Sequence, residues 1–321
     1  MPLSESTLIE RFFRDCGAHR ADVVLGVGDD AALLTMPPES DLVAATDTLV
    51  AGVHFPARTP PAAVGHRALA VNLSDFAAMG ARPAWALLAL TLPEADEAWL
   101  EEFAAGLNAL AHDNKVAIVG GDTTRGPLCV SLQLLGYVPR GTALRRTGGR
   151  AGDALFVSGT PGDAAAGLAL VEGRLTSPAD SFAYLRERFL LPTPRVALGE
   201  RLRAYASACI DVSDGLLGDA AKLASASGVG VEIDIKTLPV SQPLTSAVGD
   251  ERARQLALTG GDDYELLFSV HPQNVARLLA ELPPQDWRYT RIGSLRSAAG
   301  AVVVRDGAVM EFSHSGYQHF V

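Results

Sequence analysis

One stretch of the chain, Cys209-Ile210-Asp211-Val212-Ser213-Asp214-Gly215-Leu216, joins the end of an apolar strand pattern to the start of a helix pattern. Residues 209–212 are typical of a buried strand, and residues 216–226 have the pattern of a helix. Two aspartates and a serine stand where the two patterns meet. The stretch therefore predicts a strand, a turn and a helix in succession, with carboxylates gathered at the end of the strand.

Aspartates stand in Gly-, Ser- or Thr-rich turns at five more places, which are residues 28–30, 46–48, 72–75, 120–123 and 260–263. A solvated turn explains any one of these loops, because Asp and Gly are common turn residues. Six such loops are harder to explain in this way. Crowded carboxylates repel one another, and bound cations offset that repulsion. Hard oxygen ligands favour Mg²⁺ or Ca²⁺, and substrate phosphates often complete the Mg²⁺ shell. The pattern predicts a metal-dependent phosphate enzyme.

Strand-like and helix-like segments alternate along the chain, as in the strand at 41–50 followed by the helix at 60–79. This alternation predicts an α/β or α+β fold. The polar, Gly-rich segment 147–153 is the best domain boundary. We therefore expect two domains, residues 1–148 and 149–321.

Composition restricts the classes of function. Acidic residues number 37 against 27 basic ones, and the net charge of −10 argues against a nucleic-acid binder. Only three lysines occur and none lies in a Gly-rich loop, so the chain has no Walker-type phosphate loop. Phosphate charge must then be met by metals, arginines or backbone amides. The three cysteines lie far apart, which indicates neither a zinc site nor a redox pair.

The sequence also bears on location. The first ten residues lack the basic and apolar regions of a signal peptide, and no apolar run approaches the ~20 residues that span a bilayer. We expect a cytoplasmic protein with neither a membrane nor a nucleic acid as partner.

Two other segments have alternative readings. His54 is either a turn or core histidine or part of a site. Arg145-Arg146 is either a surface pair or a phosphate clamp, for which the planar fork of arginine is suited. The sequence does not indicate the haloacid-dehalogenase mechanism, because the Asp-x-Asp-x-Thr motif of that mechanism lacks its first aspartate in Ala45-Thr46-Asp47-Thr48.

Several long segments together resemble the thiamine-monophosphate kinase family. The resemblance runs nearly end to end, and the segments that carry it are 26–32, 46–55, 70–81, 120–126, 211–216, 261–266 and the ending Gly316-Tyr317-Gln318-His319-Phe320. It implies the two-domain fold of aminoimidazole ribonucleotide synthetase, with an N-terminal sheet that forms a homodimer interface and a C-terminal domain that closes over the active site.

The resemblance also implies roles for individual residues. It implies Mg²⁺ ligands at Asp30, Thr46, Asp47, Asp75, Asp122, Asp211 and Asp214. It implies ATP contacts at Gly121, Asp122, Arg146 and Ser213, and contacts with thiamine monophosphate at His54 and Asp262. Tyr317 either stacks on the thiamine rings or packs in the core. Two positions depart from the family: Ala45 stands where a Ser or Thr is common, and Asp262 where a Glu is common.

The implied reaction is the phosphorylation of thiamine monophosphate by ATP. The acceptor is a phosphate monoester, largely dianionic at neutral pH, so its oxygen needs no general base. Several Mg²⁺ ions would bridge the two anions and hold the reacting oxygens in line. The aspartates would therefore position metal and would not act as nucleophiles.

Other members of the superfamily fit less well. A hydrogenase-maturation dehydratase would carry a C-terminal cysteine, and a selenophosphate synthetase a reactive Cys or selenocysteine near its N-terminal glycine loop. The chain instead ends in Gln318-His319-Phe320-Val321, and Cys16 lies within the first helix pattern. A non-catalytic sensor of divalent metal or nucleotide is the alternative from another class.

Overall fold

The computed structural model describes residues 4–312 and 316–317. Its helices are α1 Glu5–Phe12, α2 Pro61–Ala78, α3 Glu97–Asp113, α4 Asp163–Val171, α5 Ala179–Leu190, α6 Val196–Leu202, α7 Leu216–Ala226, α8 Gln242–Val248, α9 Asp250–Thr259, α10 Pro272–Glu281 and α11 Pro284–Trp287. Its strands are β1 Val23–Leu25, β2 Leu33–Leu34, β3 Ser40–Val50, β4 Arg82–Leu92, β5 Ala117–Arg125, β6 Cys129–Pro139, β7 Ala154–Ser158, β8 Ala206–Val212, β9 Gly230–Asp234, β10 Glu265–Val270, β11 Tyr289–Arg296, β12 Gly300–Arg305 and β13 Ala308–Met310. The mixed α/β class predicted from the sequence is confirmed.

The chain divides into two compact units. Unit 1 contains residues 4–76 and 81–142, and unit 2 contains residues 77–80, 143–312 and 316–317. Among the described residues, no helix is both long enough and apolar enough to cross a membrane.

Unit 1 is built on a four-stranded sheet in the order β3-β6-β4-β5, in which only β4 and β5 run parallel. One face is nearly inaccessible to solvent, as Leu88, Leu132 and Leu134 show. Helices α2 and α3 pack closely: a Cβ at Gly106 would come within 2.0 Å of the carbonyl oxygen of Ala62. This sheet face and the two helices form a core.

The other face of this sheet is only partly covered. Trp85 is buried there beside the β1–β2 hairpin and donates from Nε1 to Asp22 Oδ1 at 3.1 Å. Farther along, Leu42, Ala89 and Gln133 are exposed. We call this surface, with Thr46, Thr48, Ser131 and Asp122 on it, the open face.

Unit 2 contains a seven-stranded sheet in the order β13-β12-β9-β11-β7-β10-β8, with only β9 and β12 parallel. Residues of β7, β8 and β10 pack with α7 and α9 in one large core cluster. The register pairs Val212 with Glu265 and Val157 with Leu267. Strands β7 and β8 end, and β10 begins, at the same end of the sheet, so the loops 159–162, 213–215 and 260–264 lie together there.

Candidate functional site

Three of the predicted site residues of unit 1 line one cavity on the open face. Asp30, Gly121 and Asp122 surround a space of about 840 Å³, together with α1 and with side chains of β4 and β6 such as Leu87 and Gln133. Asp30 and Asp122 are both exposed. This volume is within the range of small-molecule sites.

Gly121 occupies a position in β5 that no other residue fits without a shift of the backbone. Its φ is +156°, and a Cβ there would lie 1.8 Å from the carbonyl oxygen of Leu88. The register between β4 and β5 is irregular next to this point, between Ala86 and Leu87. Close packing of the two strands therefore requires glycine at this position. Because glycine has no side chain, the backbone of Gly121 is accessible from the cavity.

Thr46 and Asp47 are neighbours in β3 and project to opposite faces of the sheet. Thr46 is exposed on the open face and donates from Oγ1 to the carbonyl oxygen of Leu132 at 3.3 Å. Asp47 is half-buried and pairs in register with Leu132 on the helix-covered face. Burial raises the pKa of the Asp47 carboxyl. A desolvated carboxylate of this kind gains from a bound cation.

Asp47 and Asp122 lie at opposite edges of the same sheet. Register runs from Asp47 through Leu132 and Leu88 to Gly121, and from Thr48 through Ser131 and Ala89 to Asp122. Three strand spacings separate β3 from β5, or about 14 Å between backbones. Because the two side chains also face opposite sides, one Mg²⁺ with ligand bonds of about 2.1 Å does not join them within a single sheet.

His54 and Asp75 complete the predicted residues of unit 1. His54 lies in the turn after β3, where its Nδ1 accepts a hydrogen bond from the backbone N–H of Val50 at 3.0 Å. Its ring is therefore oriented by the turn. Asp75 is half-buried on α2, one turn beyond Asn72, whose side chain is fully buried.

In unit 2, backbone hydrogen bonds bring four predicted residues together. The N–H of Asp262 donates to the carbonyl oxygen of Ser213 at 2.8 Å, and that of Tyr317 donates to the carbonyl oxygen of Asp214 at 2.9 Å. Asp262 has a φ of +68°, and its Oδ1 accepts a hydrogen bond from the hydroxyl of Tyr264 at 3.0 Å. Asp211 is buried at the end of β8, just before this cluster.

Tyr317 is exposed, with 51% of its surface accessible, so it does not pack in a core. The expectation that it stacks on thiamine rings stays a prediction. The remaining ending, Gln318-His319-Phe320, on which the resemblance also drew, lies outside the described residues.

Sequence reasoning missed the residue that holds the Ser213–Gly215 turn. Oδ2 of Asp219, a fully buried residue in the first turn of α7, accepts hydrogen bonds from the N–H groups of Ser213, Asp214 and Gly215 at 3.1, 3.1 and 3.2 Å. Lys222 donates to Asp219 Oδ1 at 2.7 Å. Burial raises the pKa of Asp219, and the hydrogen bond and charge of Lys222 oppose that effect. An acidic residue in the first turn of a helix is the signal that could have revealed it.

Arg146 lies away from that turn. Its carbonyl oxygen accepts a hydrogen bond from Ser227 Oγ at 2.8 Å, and Ser227 is the C-terminal cap of α7. The turn at Ser213 stands at the other end of the same helix, and 11 residues span about 16 Å. Arg146 is exposed. The two predicted ATP contacts of unit 2 are thus separated by the length of α7.

Six of the seven side chains offered to a metal are carboxylates and the seventh is the hydroxyl of Thr46; all are hard oxygen donors, which suit Mg²⁺. Asp30 and Asp122 line the same cavity, and Asp47 is a desolvated carboxylate. Across residues 4–312 and 316–317, no three His, Cys, Asp or Glu side chains approach closely enough to hold an ion by themselves. The donors fit Mg²⁺ in type, and phosphate oxygens would complete its shell.

Two family models match the chain. The model described as AIR synthase related protein, N-terminal domain, matches residues 28–138, and the model of the C-terminal domain matches residues 150–305. Together these ranges cover most of the 321 residues.

Individual relatives match over nearly the whole chain. Thiamine-monophosphate kinase of Salmonella typhimurium is 47% identical over 322 residues, which cover 100% of this chain and 99% of the relative. The crystal structure of thiamine-monophosphate kinase from Stenotrophomonas maltophilia K279a is 46% identical, with a TM-score of 0.85 over 97% of this chain and 99% of that one. The structure of AaThiL complexed with AMPPCP and TMP is 35% identical, with a TM-score of 0.78 over 89% of each chain.

Proposed function

Because this chain belongs to the thiamine-monophosphate kinase family of AIR synthase-related proteins, we propose that it phosphorylates thiamine monophosphate with ATP. The products are thiamine diphosphate and ADP. The observation that carries the proposal is identity to a kinase of that name along the full chain. The complex of a related structure with AMPPCP, a non-hydrolysable analogue of ATP, supports ATP as the phosphate donor.

The proposal includes Mg²⁺ as cofactor. The residues that would hold the ions are Asp30, Thr46, Asp47, Asp75, Asp122, Asp211 and Asp214. Bound Mg²⁺ would neutralise the phosphates of the two substrates. Support comes from the type of donor and from the burial of Asp47, whose raised pKa marks a carboxylate that lacks sufficient compensation for its charge.

Binding of ATP is assigned to residues on several loops. The bare backbone of Gly121 and the Asp122 carboxylate beside it would face the nucleotide in the cavity of the open face. Ser213, held in its turn through Asp219, would donate to a phosphate oxygen. Arg146 is exposed and has the planar fork that binds phosphate in a bidentate manner.

His54, Asp262 and Tyr317 are assigned to thiamine monophosphate. The turn after β3 orients the ring of His54, and the left-handed backbone of Asp262 with its bond from Tyr264 fixes that carboxylate. Asp262 stands where relatives often carry the longer Glu, so a water or a shifted contact would bridge the difference. The dianionic acceptor phosphate needs no base, so these residues position the substrate.

The proposal also includes a homodimer that forms through the open face. The exposed Leu42 and Ala44 of β3 lie on this face outside the nucleotide cavity and give a second copy a surface to cover. Within one copy, Asp47 and Asp122 stand about 14 Å apart on opposite faces of the sheet, so either separate Mg²⁺ ions bind at the two aspartates or a second copy supplies one of them.

Turnover of thiamine monophosphate with Mg-ATP, followed by chromatography of the products, tests the proposal. Formation of thiamine diphosphate and ADP in equal amounts supports it. Nucleotide binding without turnover would favour the non-catalytic sensor. Location in the cytoplasm, and the absence of membrane and nucleic-acid partners, belong to the same proposal.

A further inference from the structure

A second cavity, of about 550 Å³, lies in unit 2, and none of the residues assigned above lines it. Its walls include Arg188, Arg195 and Arg288, with the hydroxyl-bearing Thr160 and Thr193 beside them. Apolar surface is present as well, from residues such as Leu191 and Tyr289. A cavity of this size with a few convergent polar groups has the character of a small-molecule site.

Two of the three guanidinium groups are fixed by one carboxylate beneath the cavity. Glu265 is fully buried, and Arg195 donates to it from Nε at 2.7 Å and from Nη2 at 2.6 Å. Arg188 donates from Nη2 to Glu265 Oε1 at 2.8 Å. Ser158 Oγ adds a bond of 2.5 Å to Glu265 Oε2. The arginine side chains are only 12% and 20% exposed, so their positions are preorganised before any ligand arrives.

The three arginines keep N–H groups that the hydrogen bonds to Glu265 do not use. Among residues 4–312 and 316–317, Nη1 of Arg188 and Nη1 of Arg195 have no hydrogen-bond partner, and neither do the side-chain nitrogens of Arg288. The buried Nε of Arg188 is likewise without one and stands 3.9 Å from Asp163 Oδ2. These arginines present N–H groups, and an arginine has no acceptor of its own.

The other carboxylates near the cavity are held by hydrogen bonds of their own or are screened by water. Glu265 offsets one of the two guanidiniums that it binds. Asp163 accepts hydrogen bonds from Thr160 and Ser241, at 2.5 and 2.6 Å, while burial, the largest influence, raises its pKa. Asp263 is bound by the amides of Gly162 and Ala164 and is also shifted upward in pKa by burial. Glu187 lines the cavity but is exposed, so water screens it.

We propose that this cavity binds a phosphate-bearing small molecule through Arg188, Arg195 and Arg288. Guanidinium forks match phosphate oxygens in geometry, and charge-assisted bonds of this kind are among the stronger hydrogen bonds in proteins. The apolar wall would contact the organic part of the ligand. Because the lining residues differ from those assigned to ATP, metal and thiamine monophosphate, the two sites would fill independently.

The test is calorimetric titration of the full-length protein with inorganic pyrophosphate, in EDTA at fixed ionic strength and with Arg146→Ala as background. That background removes one phosphate contact proposed for the transfer site. The informative variant is Arg288→Gln, because this side chain is exposed and its loss leaves the Glu265 network intact. Arg291→Gln is the matched control: an exposed arginine three positions along that does not line the cavity.

We expect the dissociation constant for pyrophosphate to rise about tenfold in Arg288→Gln, the scale of one lost charge-assisted bond, and to stay unchanged in Arg291→Gln. A second variant, Thr193→Glu, would place a carboxylate among the arginines and should abolish binding. Each variant's thermal midpoint shows that it is folded. The proposal is overturned if the background protein does not bind pyrophosphate, or if Arg288→Gln and Thr193→Glu both bind it as the background does.

Discussion

Lys222 donates from Nζ to Asp214 Oδ2 at 2.5 Å, so a lysine lies against the carboxylate to which the sequence assigns Mg²⁺. The same nitrogen reaches Asp219, whose other oxygen holds the turn that contains Asp214. A metal and a lysine are both cations, and they would compete for Asp214. The ion pair therefore bears on how tightly this position binds Mg²⁺.

Lys222→Met should lower the Mg²⁺ concentration needed for half-maximal activity by several-fold, because it removes the competing cation while keeping much of the side-chain volume. The measurement is initial rate against Mg²⁺ at saturating substrates. Lys236→Met is the control, since Lys236 pairs with Asp306 at the surface. A higher Mg²⁺ requirement in Lys222→Met would show that the lysine supports the metal site.

Asp219→Ala should destabilise the protein by roughly 2–4 kcal/mol, because three backbone N–H groups lose their common acceptor. We also expect the KM for ATP to rise more than kcat falls, since the turn with Ser213 is no longer fixed. Urea unfolding and steady-state kinetics measure the two effects. The control is Asp250→Ala, which removes an exposed first-turn carboxylate from α9. It should change neither the free energy of unfolding nor the KM for ATP. An unaltered KM for ATP would separate this turn from nucleotide binding.

Asp47→Asn should lose about 100-fold or more in rate, the scale of a lost electrostatic stabiliser. Its thermal midpoint in EDTA should be equal to or above that of the wild type, because burial raises the pKa of this carboxyl and the variant no longer buries a charge. Asp41→Asn, an exposed position on the same strand, is the control for the rate. Near-wild-type turnover at saturating Mg²⁺ would contradict the metal role.

Mixing Asp47→Asn and Asp122→Asn chains tests whether one site draws on two copies. If it does, a mixed dimer has one site with both aspartates and one with neither. Half of the dimers formed at random are mixed, so we expect about a quarter of wild-type activity after refolding the two together. Each variant refolded alone serves as the baseline. No recovery above that baseline would mean that both aspartates act within one chain.

Glu265→Gln should cost roughly 3–5 kcal/mol of stability at pH 7, because two arginines would keep their burial and lose their counter-charge. Burial alone would raise the pKa of Glu265, but the charges of Arg195 and Arg188 and their hydrogen bonds outweigh it, and the pKa lies below its usual range.

A lowered pKa fixes the sign of the pH dependence. The contribution of Glu265 is fully present above the ordinary glutamate pKa and is lost as pH falls through the lowered folded-state value. The gap in unfolding free energy between wild type and Glu265→Gln should therefore narrow in acid. Denaturant unfolding from pH 7 down to pH 3 measures it, and a gap that is constant with pH would mean that the loss arises from packing.

Local patterns decided much of the fold. Helices α2 and α7 and strands β3 and β8 fall where periodicity and turn residues predict them, because hydrophobic spacing and capping act over a few residues. Helices α8 and α9 and strand β11 were not anticipated, since short elements carry little periodic signal. Strand direction also escaped prediction: alternating patterns suit parallel sheets, yet only β4–β5 and β9–β12 run parallel.

For the site, the sequence by itself predicted oxygen ligands for a metal, and its long shared segments indicated the family. Tertiary structure decided which of those residues are neighbours. It joins Ser213, Asp214, Asp262 and Tyr317 through backbone bonds, and it puts Asp47 and Asp122 on opposite edges of a sheet. Strand order and register set these relations, and both depend on contacts between residues far apart in the chain, which no local pattern records.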